Sequence, residues 1–290
     1  MHIRLGYEIA IECDQPTPIF SLLEIHKDRK ADIAQETLVR TVPTDIQSRL
    51  YEDRYGNFCR RFMAPAGNMR IFYDATIVDP GEPDAQAPGA RQVPVEELPD
   101  DAIVYLLGSR YCETDILSDM AWKRFGHIES GWDRVQAICD YVHERIAFGY
   151  GYARCTRSAA QAHDERVGVC RDFAHLAIAL CRAVNIPARY VNGYLGDIGV
   201  PADPAPMDFS AWFEAYVGDR WYTFDARHNV PRIGRVVIAR GRDATDVPLL
   251  HTFGLHRLTY FKVWTYEQEA YPDTPPMHGL DRTLTASILA

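Results

Sequence analysis

The feature that most limits how this chain can fold is a helical pattern followed by three extended runs, between residues 170 and 226. The helical part carries apolar side chains three and four residues apart, at Phe173, Leu176, Ala177, Leu180, Cys181 and Val184. The pattern ends before Pro187, and a strand is predicted at Ala188–Leu195. The runs 209–217 and 220–226 are joined by Gly218-Asp219, which predicts a β-hairpin with a type II′ turn. Helices followed by antiparallel strands predict an α+β domain.

The first 80 residues have a different pattern. Large apolar side chains alternate with polar ones from Ile3 to Ile11, as in a half-buried strand, and further short extended runs follow without a convincing helix. We therefore predict a β-sandwich-like domain over residues 1–79. Residues 80–100 contain five prolines and few large apolar side chains, which is typical of a linker. The α+β core is then expected over residues 101–271, with a flexible tail at 272–290.

Length and charge exclude several classes of function. The 290 residues fit about two domains, and no stretch approaches the roughly 18–20 uninterrupted apolar residues that a membrane helix needs. Charged residues interrupt the first apolar run, unlike a secretory signal peptide. The chain has 31 basic and 40 acidic residues, a balance that opposes a broad phosphate-binding surface. We expect a cytoplasmic protein that binds neither nucleic acid nor membrane, and the oligomeric state stays open.

The cysteines point to reactivity rather than to structure. The seven are scattered, odd in number and never spaced as C-x-x-C, so neither a disulfide framework nor a metal site is predicted, and no cofactor is expected. Cys170 stands where the helical pattern begins, and the N-terminal end of a helix favours a thiolate. It is either a nucleophile or a buried structural cysteine.

The residues around Cys170 resemble a known family. The string GVCRDFAHLAIALCRAVNIPARYVNGY, together with SAWFEAYVGDRWYTFDARHN and GRDATDV further on, is similar to the core of the bacterial transglutaminase-like superfamily. The resemblance covers most of residues 105–250. It implies a papain-like α+β fold, with helices packed on an antiparallel sheet or barrel, and a Cys-His-Asp triad that performs acyl transfer. By this resemblance the nucleophile is Cys170, the aspartate is Asp225, and the histidine position holds Ser210.

Strand geometry places Ser210 and Asp225 together. If Val217 pairs with Arg220, Asp225 lies opposite Trp212, and Asp208, Ser210, Trp212 and Glu214 share its face. Ser210 is then a diagonal neighbour of Asp225, within reach of a long side chain. A serine is not a general base at neutral pH, so another group must take the thiol proton if the chain is an enzyme.

Two side chains could serve as that base, and two more could bind substrate. His228 reaches the site only if the chain bends after Asp225, and Asp208 could act only with a raised pKa. Arg227 could hold the thiolate or a substrate carboxylate, or pair with Asp225 or Asp208. Trp212 is the hairpin aromatic that we expect near the cleft.

Two functions remain open from the sequence. The first is a thiol acyl-transfer enzyme, either a cysteine protease or amidase or an acyltransferase, that acts on a peptide or protein through Cys170. The second is a catalytically impaired pseudoenzyme that binds a peptide or protein partner, because a general base typically contributes 10²–10⁴-fold to the rate.

Overall fold

The computed structural model describes residues 1–44 and 46–268, so the predicted tail at 272–290 lies outside the described residues. The strands are β1 (His2–Cys13), β2 (Thr17–Ser21), β3 (Ile33–Glu36), β4 (Arg40–Val42), β5 (Ser48–Glu52), β6 (Phe58–Ala64), β7 (Gly67–Val78), β8 (Ala147–Phe148), β9 (Val167–Gly168), β10 (Ala188–Tyr194), β11 (Ser210–Val217), β12 (Arg220–Phe224), β13 (Val236–Gly241), β14 (Leu250–Thr252) and β15 (His256–Gln268). The helices are α1 (Asp100–Ile103), α2 (Thr114–Phe125), α3 (Gly131–Arg145), α4 (Ala159–Glu165) and α5 (Cys170–Ala183).

The β-rich front part consists of two antiparallel sheets. One has the order β15-β1-β7-β3, with β4 also on β7, and the other has the order β14-β2-β6-β5. Each sheet therefore receives a strand from the C-terminal third of the chain. Because β15 pairs with β1 along its length, from His2 opposite Gln268 to Cys13 opposite His256, residues 256–268 complete the N-terminal sheet and do not belong to the core at 101–271 as predicted. Pairing across such a sequence separation leaves no local pattern to detect.

The α+β core is built on a central sheet with the order β12-β11-β10-β13. Helix α5 packs on this sheet and against α2, α3 and α4, and residues 172–183 are all buried. Two polar side chains within α5 are accommodated by hydrogen bonds: Arg182 donates to the carbonyl oxygens of Ala188 and Arg242, among others, and His175 Nε2 accepts from the Ala244 N–H at 3.1 Å. The predicted stripe is thus part of a helix buried on every side.

The hairpin has the predicted register but a different turn. Val217 lies opposite Arg220 and Phe213 opposite Phe224. Gly218 and Asp219 both have positive φ, +55° and +67°, which is the type I′ arrangement and not the predicted type II′. Asp219 tolerates the left-handed conformation, and its carboxylate pairs with Arg91 from the 80–100 segment.

The proline-rich segment 80–100 lies on the core at several points. Pro83 forms a β-bridge with Ile233, Arg91 forms one with Ser130, and Val93 is buried. The Asp84 carboxylate pairs with Arg235 at 2.9 Å. No helix in the described ranges is long and apolar enough to span a membrane.

Candidate active site

A short parallel pair of strands brings Cys170 to the cleft. Strand β9 pairs with β8 and leads through Val169 into α5, whose first residue is Cys170. The buried Asp172 carboxylate accepts the Val169 N–H at 2.8 Å and pairs with Arg157 at 3.0 Å, which fixes the first turn. Gly168 is required beside it, because a Cβ there would lie 2.6 Å from the Asp172 Cβ. The start of the helix is thus held from both sides.

The Cys170 thiol is half-buried at the junction of two lobes of one cleft. The pKa of this thiol is raised to about 11, mainly by burial and to a smaller extent by Asp208, while Arg227, the Ala211 N–H and Arg171 lower it. At neutral pH the thiol is therefore protonated, in contrast to the thiolate expected at a helix start. A nucleophilic role requires a base that removes the proton.

Asp225 lies just beyond β12, and its carboxylate is surrounded by donors. Oδ1 accepts the N–H groups of Arg227 and His228 at 3.0 and 3.2 Å, and Oδ2 accepts from His228 Nδ1 and Arg235, both at 2.9 Å. Burial by itself raises the pKa of Asp225, but Arg235 and His228 outweigh it and hold that pKa well below its ordinary value. The carboxylate is ionised at any pH at which the protein works.

The chain does bend after Asp225, and the bend brings His228 back to it. The Asn229 N–H donates to the Asp225 carbonyl oxygen at 2.8 Å, and Asn229 has a φ of +52°. Helix α3 holds this turn, because Asp140 accepts from the Asn229 amide at 2.8 Å and Gln136 donates to it at 2.9 Å. The bend that His228 needs in order to reach the site is therefore present.

The hydrogen bond to Asp225 determines which nitrogen of His228 is free. An ionised carboxylate can only accept, so Nδ1 carries the hydrogen and Nε2 has the lone pair in the neutral ring. The His228 side chain is 23% exposed and lines the same lobe as Cys170. The arrangement contains a thiol, an imidazole and an orienting carboxylate.

Ser210 stands in β11 opposite Gly193, where the family resemblance expects a histidine. Its residue is 7% exposed, and its hydroxyl has no hydrogen-bond partner among residues 1–44 and 46–268. It lines both lobes beside Cys170. The structure thus places this serine at the cleft without giving it an acid-base partner.

Trp212 lies away from the cleft, contrary to our expectation. It is 1% exposed and packs in a small apolar cluster with Val191 and Val237. The Arg235 guanidinium lies over its ring, 4.9 Å from the centroid, and the same arginine holds Asp225. Arg235 therefore contacts both Trp212 and Asp225, and it covers the Trp212 ring.

Arg227 and Asp208 face the cleft without a mutual ion pair. The Arg227 guanidinium lies 3.7 Å from the Phe148 ring centroid, and its charge lowers the pKa of Tyr150 against the larger rise that burial causes. Asp208 accepts the N–H of Phe209 at 2.7 Å, and burial raises the pKa of Asp208 to about 7. Within the described part of the chain, neither side chain forms an ion pair within 4 Å, so the expected Arg227 pairs with Asp225 or Asp208 are not formed.

The two lobes differ in character. The apolar lobe, about 710 Å³ of open space, is lined mainly by apolar groups such as Val169, Val247 and Leu249. The charged lobe, about 600 Å³, is lined by Asp197, Asp203, Arg227, His228 and Arg232, among others. Both lobes are lined by Tyr150, Cys170, Asp208, Phe209 and Ser210. Cys170 is thus one of the residues that the two lobes share.

Sequence reasoning missed the residues that support the site. Arg235 joins Asp225 to Asp84, and Arg157 neutralises Asp172. Asp84 stands in the segment predicted to be a linker. Since these pairs join distant parts of the chain, no spacing in the sequence signals them.

Comparison with known proteins identifies similar chains. The profile of the Transglutaminase-like superfamily matches residues 123–226, a range that contains Cys170, Ser210 and Asp225 and ends before His228. The crystal structure of a candidate cysteine protease from Cytophaga hutchinsonii is 34% identical, has a TM-score of 0.81, and aligns over 96% of this chain and 94% of that chain. An uncharacterized protein of Mycobacterium leprae is 25% identical over 72% of this chain and 76% of its own length. One from Mycobacterium tuberculosis is 24% identical over 77% and 76%.

Proposed function

Because the chain belongs to the transglutaminase-like superfamily, we propose that it is a thiol acyl-transfer enzyme with Cys170 as nucleophile, His228 as base and Asp225 as the group that orients the base. One observation carries the proposal: His228 donates from Nδ1 to Asp225 at 2.9 Å, and its ring lines the same lobe as the Cys170 thiol. The substrate is a peptide or protein amide.

The chemistry follows from the protonation states. Nε2 of His228 takes the thiol proton, and the Cys170 sulfur attacks the amide carbonyl carbon. When the C–N bond breaks, His228 returns the proton to the leaving nitrogen, and a thioester remains on Cys170. Water, or an amine, attacks the thioester and restores the thiol. Asp225 keeps the imidazole in the useful tautomer and stabilises its charged form.

The first turn of α5 supports the same reaction. N–H groups at a helix start have no partner within the helix and can stabilise the negative oxygen that forms during the attack. The Ser210 hydroxyl, which has no hydrogen-bond partner among the described residues, belongs to a residue that lines both lobes together with Cys170, and it is a further donor. Ser210 therefore fits a binding role and not that of a base.

One observation favours a second function, a peptide-binding pseudoenzyme. Burial raises the pKa of Cys170 to about 11, so the resting site holds little thiolate. If His228 does not remove the proton, the cleft binds without reacting.

An active ester separates the two functions. The protein is incubated with p-nitrophenyl acetate, and the acyl group on Cys170 is located by mass spectrometry. We expect acylation in the wild type, none at this site in Cys170→Ala, and a rate at least 100-fold lower in His228→Ala. His163→Ala, in α4, is the matched control and should retain the wild-type rate. If no acyl-Cys170 forms in the wild type between pH 6 and 9, the acyl-transfer function is wrong and the peptide-binding pseudoenzyme is the remaining function.

A further inference from the structure

Arg227 is an uncommitted cation within the charged lobe. Three buried arginines around the site are paired, whereas Arg227 is half-buried: Arg157 pairs with Asp172, Arg232 with Asp197, and Arg235 with Asp84 and Asp225. Within residues 1–44 and 46–268, no carboxylate lies within 4 Å of the Arg227 side chain. Its charge is therefore available to a ligand.

The contact with Phe148 fixes the orientation of that cation. A guanidinium 3.7 Å from an aromatic centroid lies against the ring face, and this stacking leaves N–H groups at its edge free to bind a carboxylate with two hydrogen bonds. A held arginine loses less conformational freedom on binding than a free surface one.

Arg227 also lies on a definite side of the nucleophile. It directly precedes His228, and both side chains line the charged lobe, whereas neither lines the apolar lobe. In the proposed reaction His228 protonates the leaving nitrogen. The group next to His228 consequently faces the leaving half of the substrate, and the apolar lobe is left for the acyl half.

We propose that Arg227 binds a carboxylate on the leaving amine, so that the substrate is a peptide whose C-terminal amino acid is released. The inference rests on the proposed function of Cys170. The bond that breaks is the amide between the acyl group and the C-terminal residue. The released amino acid keeps its carboxylate on Arg227 and takes a proton from His228 on its nitrogen, and water then hydrolyses the thioester.

Two alkylating agents of nearly equal size test the carboxylate site without a known substrate. Iodoacetate carries a carboxylate, and iodoacetamide carries a neutral amide. Both react with the thiolate of Cys170, so the ratio of their rates does not depend on the fraction of thiolate. The rates are measured at pH 9 on the Cys170 peptide by mass spectrometry. We expect Arg227→Gln to lower the iodoacetate-to-iodoacetamide ratio at least tenfold.

Arg171→Gln is the matched control. Arg171 follows Cys170 in the chain, but it lines the apolar lobe and donates to the Arg154 carbonyl oxygen at 2.6 Å. We expect less than a threefold change of the ratio. If Arg227→Gln leaves the ratio unchanged while Cys170 reacts, the carboxylate site is wrong and the proposed function stands. If Cys170 reacts with neither reagent, both fail.

Peptide pools test the side on which the carboxylate binds. A pool of synthetic peptides with free C-termini is compared with the same pool amidated at the C-terminus. We expect release of C-terminal residues at least tenfold faster from the free pool, and loss of this preference in Arg227→Gln. Equal rates, internal cleavage, or cleavage of neither pool would overturn the proposal.

Discussion

Two carboxylates flank the hairpin that borders Cys170, and their environments are opposite. Asp225 follows β12 and accepts four hydrogen bonds, two of them from the side chains of Arg235 and His228, while Asp208 precedes β11 and accepts one, from the Phe209 N–H. Burial by itself raises the pKa of both carboxyl groups. The pKa of Asp225 nevertheless lies well below its ordinary value, whereas that of Asp208 rises to about 7.

The comparison shows that the partners of a buried carboxyl group decide its charge here: the charge of Arg235 and the hydrogen bonds of His228 and Arg235 outweigh burial at Asp225, whereas burial prevails at Asp208. Asp225 is permanently ionised and fixed, which suits the orientation of an imidazole. Asp208 titrates near neutral pH and has no fixed partner other than a backbone N–H. We therefore expect substitutions of Asp225 and of Asp208 to have different effects on the acylation rate and on the free energy of unfolding.

Replacing Asp225 with asparagine should have the largest effect. The substitution replaces one carboxylate oxygen with an NH2 donor, so the side chain no longer has two acceptors and a charge to fix the His228 tautomer, and Arg235 keeps Asp84 as its ionic partner. We expect acylation of Cys170 to slow by about 10³–10⁴-fold and the free energy of unfolding to fall by about 3–5 kcal/mol. Ester kinetics and urea unfolding measure the two effects, and an acylation rate within tenfold of wild type would contradict the role of Asp225.

His228→Gln should impair the reaction with little loss of stability. The ring is partly exposed, so we expect a change in unfolding free energy below about 1 kcal/mol, but a rate about 10²–10³-fold lower because the base is absent. The comparison with Asp208→Asn identifies the base. If His228→Gln retains full activity and Asp208→Asn abolishes it, the carboxyl group is the base.

The pH dependence of alkylation tests the state of the thiol. Since burial raises the pKa of Cys170 to about 11 and only the thiolate reacts, the iodoacetamide rate should rise about tenfold per pH unit from pH 7 and level off near pH 11. In Arg227→Gln the curve should move to higher pH, because Arg227 lowers this pKa. A rate that is already constant near pH 7 would mean a preformed thiolate.

Asp208→Asn should stabilise the protein in a pH-dependent way. The folded pKa of about 7 lies above the value of about 3.9 of an unfolded aspartate, so the native state holds the proton more tightly, and wild-type stability falls as pH rises from 4 to 7. The variant avoids this cost, and we expect a gain of roughly 1–3 kcal/mol at pH 8 and almost none at pH 4. Urea unfolding at both values checks it, and equal gains would show that the effect is not ionic.

Ser210→His should change activity least. The family resemblance suggests that a histidine here restores a missing base, but the Asp225 carboxylate already accepts from His228 Nδ1 and from Arg235. We expect no increase in the acylation rate, measured with the same ester. An increase above tenfold would show that His228 is not the working base.

The sequence predicts the parts of this site that local geometry determines. The register of the hairpin follows from a two-residue turn and the period of two along a strand, so the pairing of Val217 with Arg220, and with it that of Phe213 with Phe224, is predictable. The left-handed conformation of Asn229 and its bonds to Asp140 and Gln136 in α3 could not be predicted in this way. They depend on a helix whose residues lie 89 and 93 positions earlier in the chain. The pairs of Arg235 and the return of β15 to β1 are likewise long-range.

The return of β15 also bears on how the chain is made. A ribosome delivers β1 first and β15 after the whole transglutaminase-like core, so the edge of β1 stays open during most of translation. The front sheet cannot mature as an early, independent unit; its assembly awaits residues synthesised some 250 positions later. A shortened gene that omits residues 256–268 would therefore damage the protein at its opposite, N-terminal end.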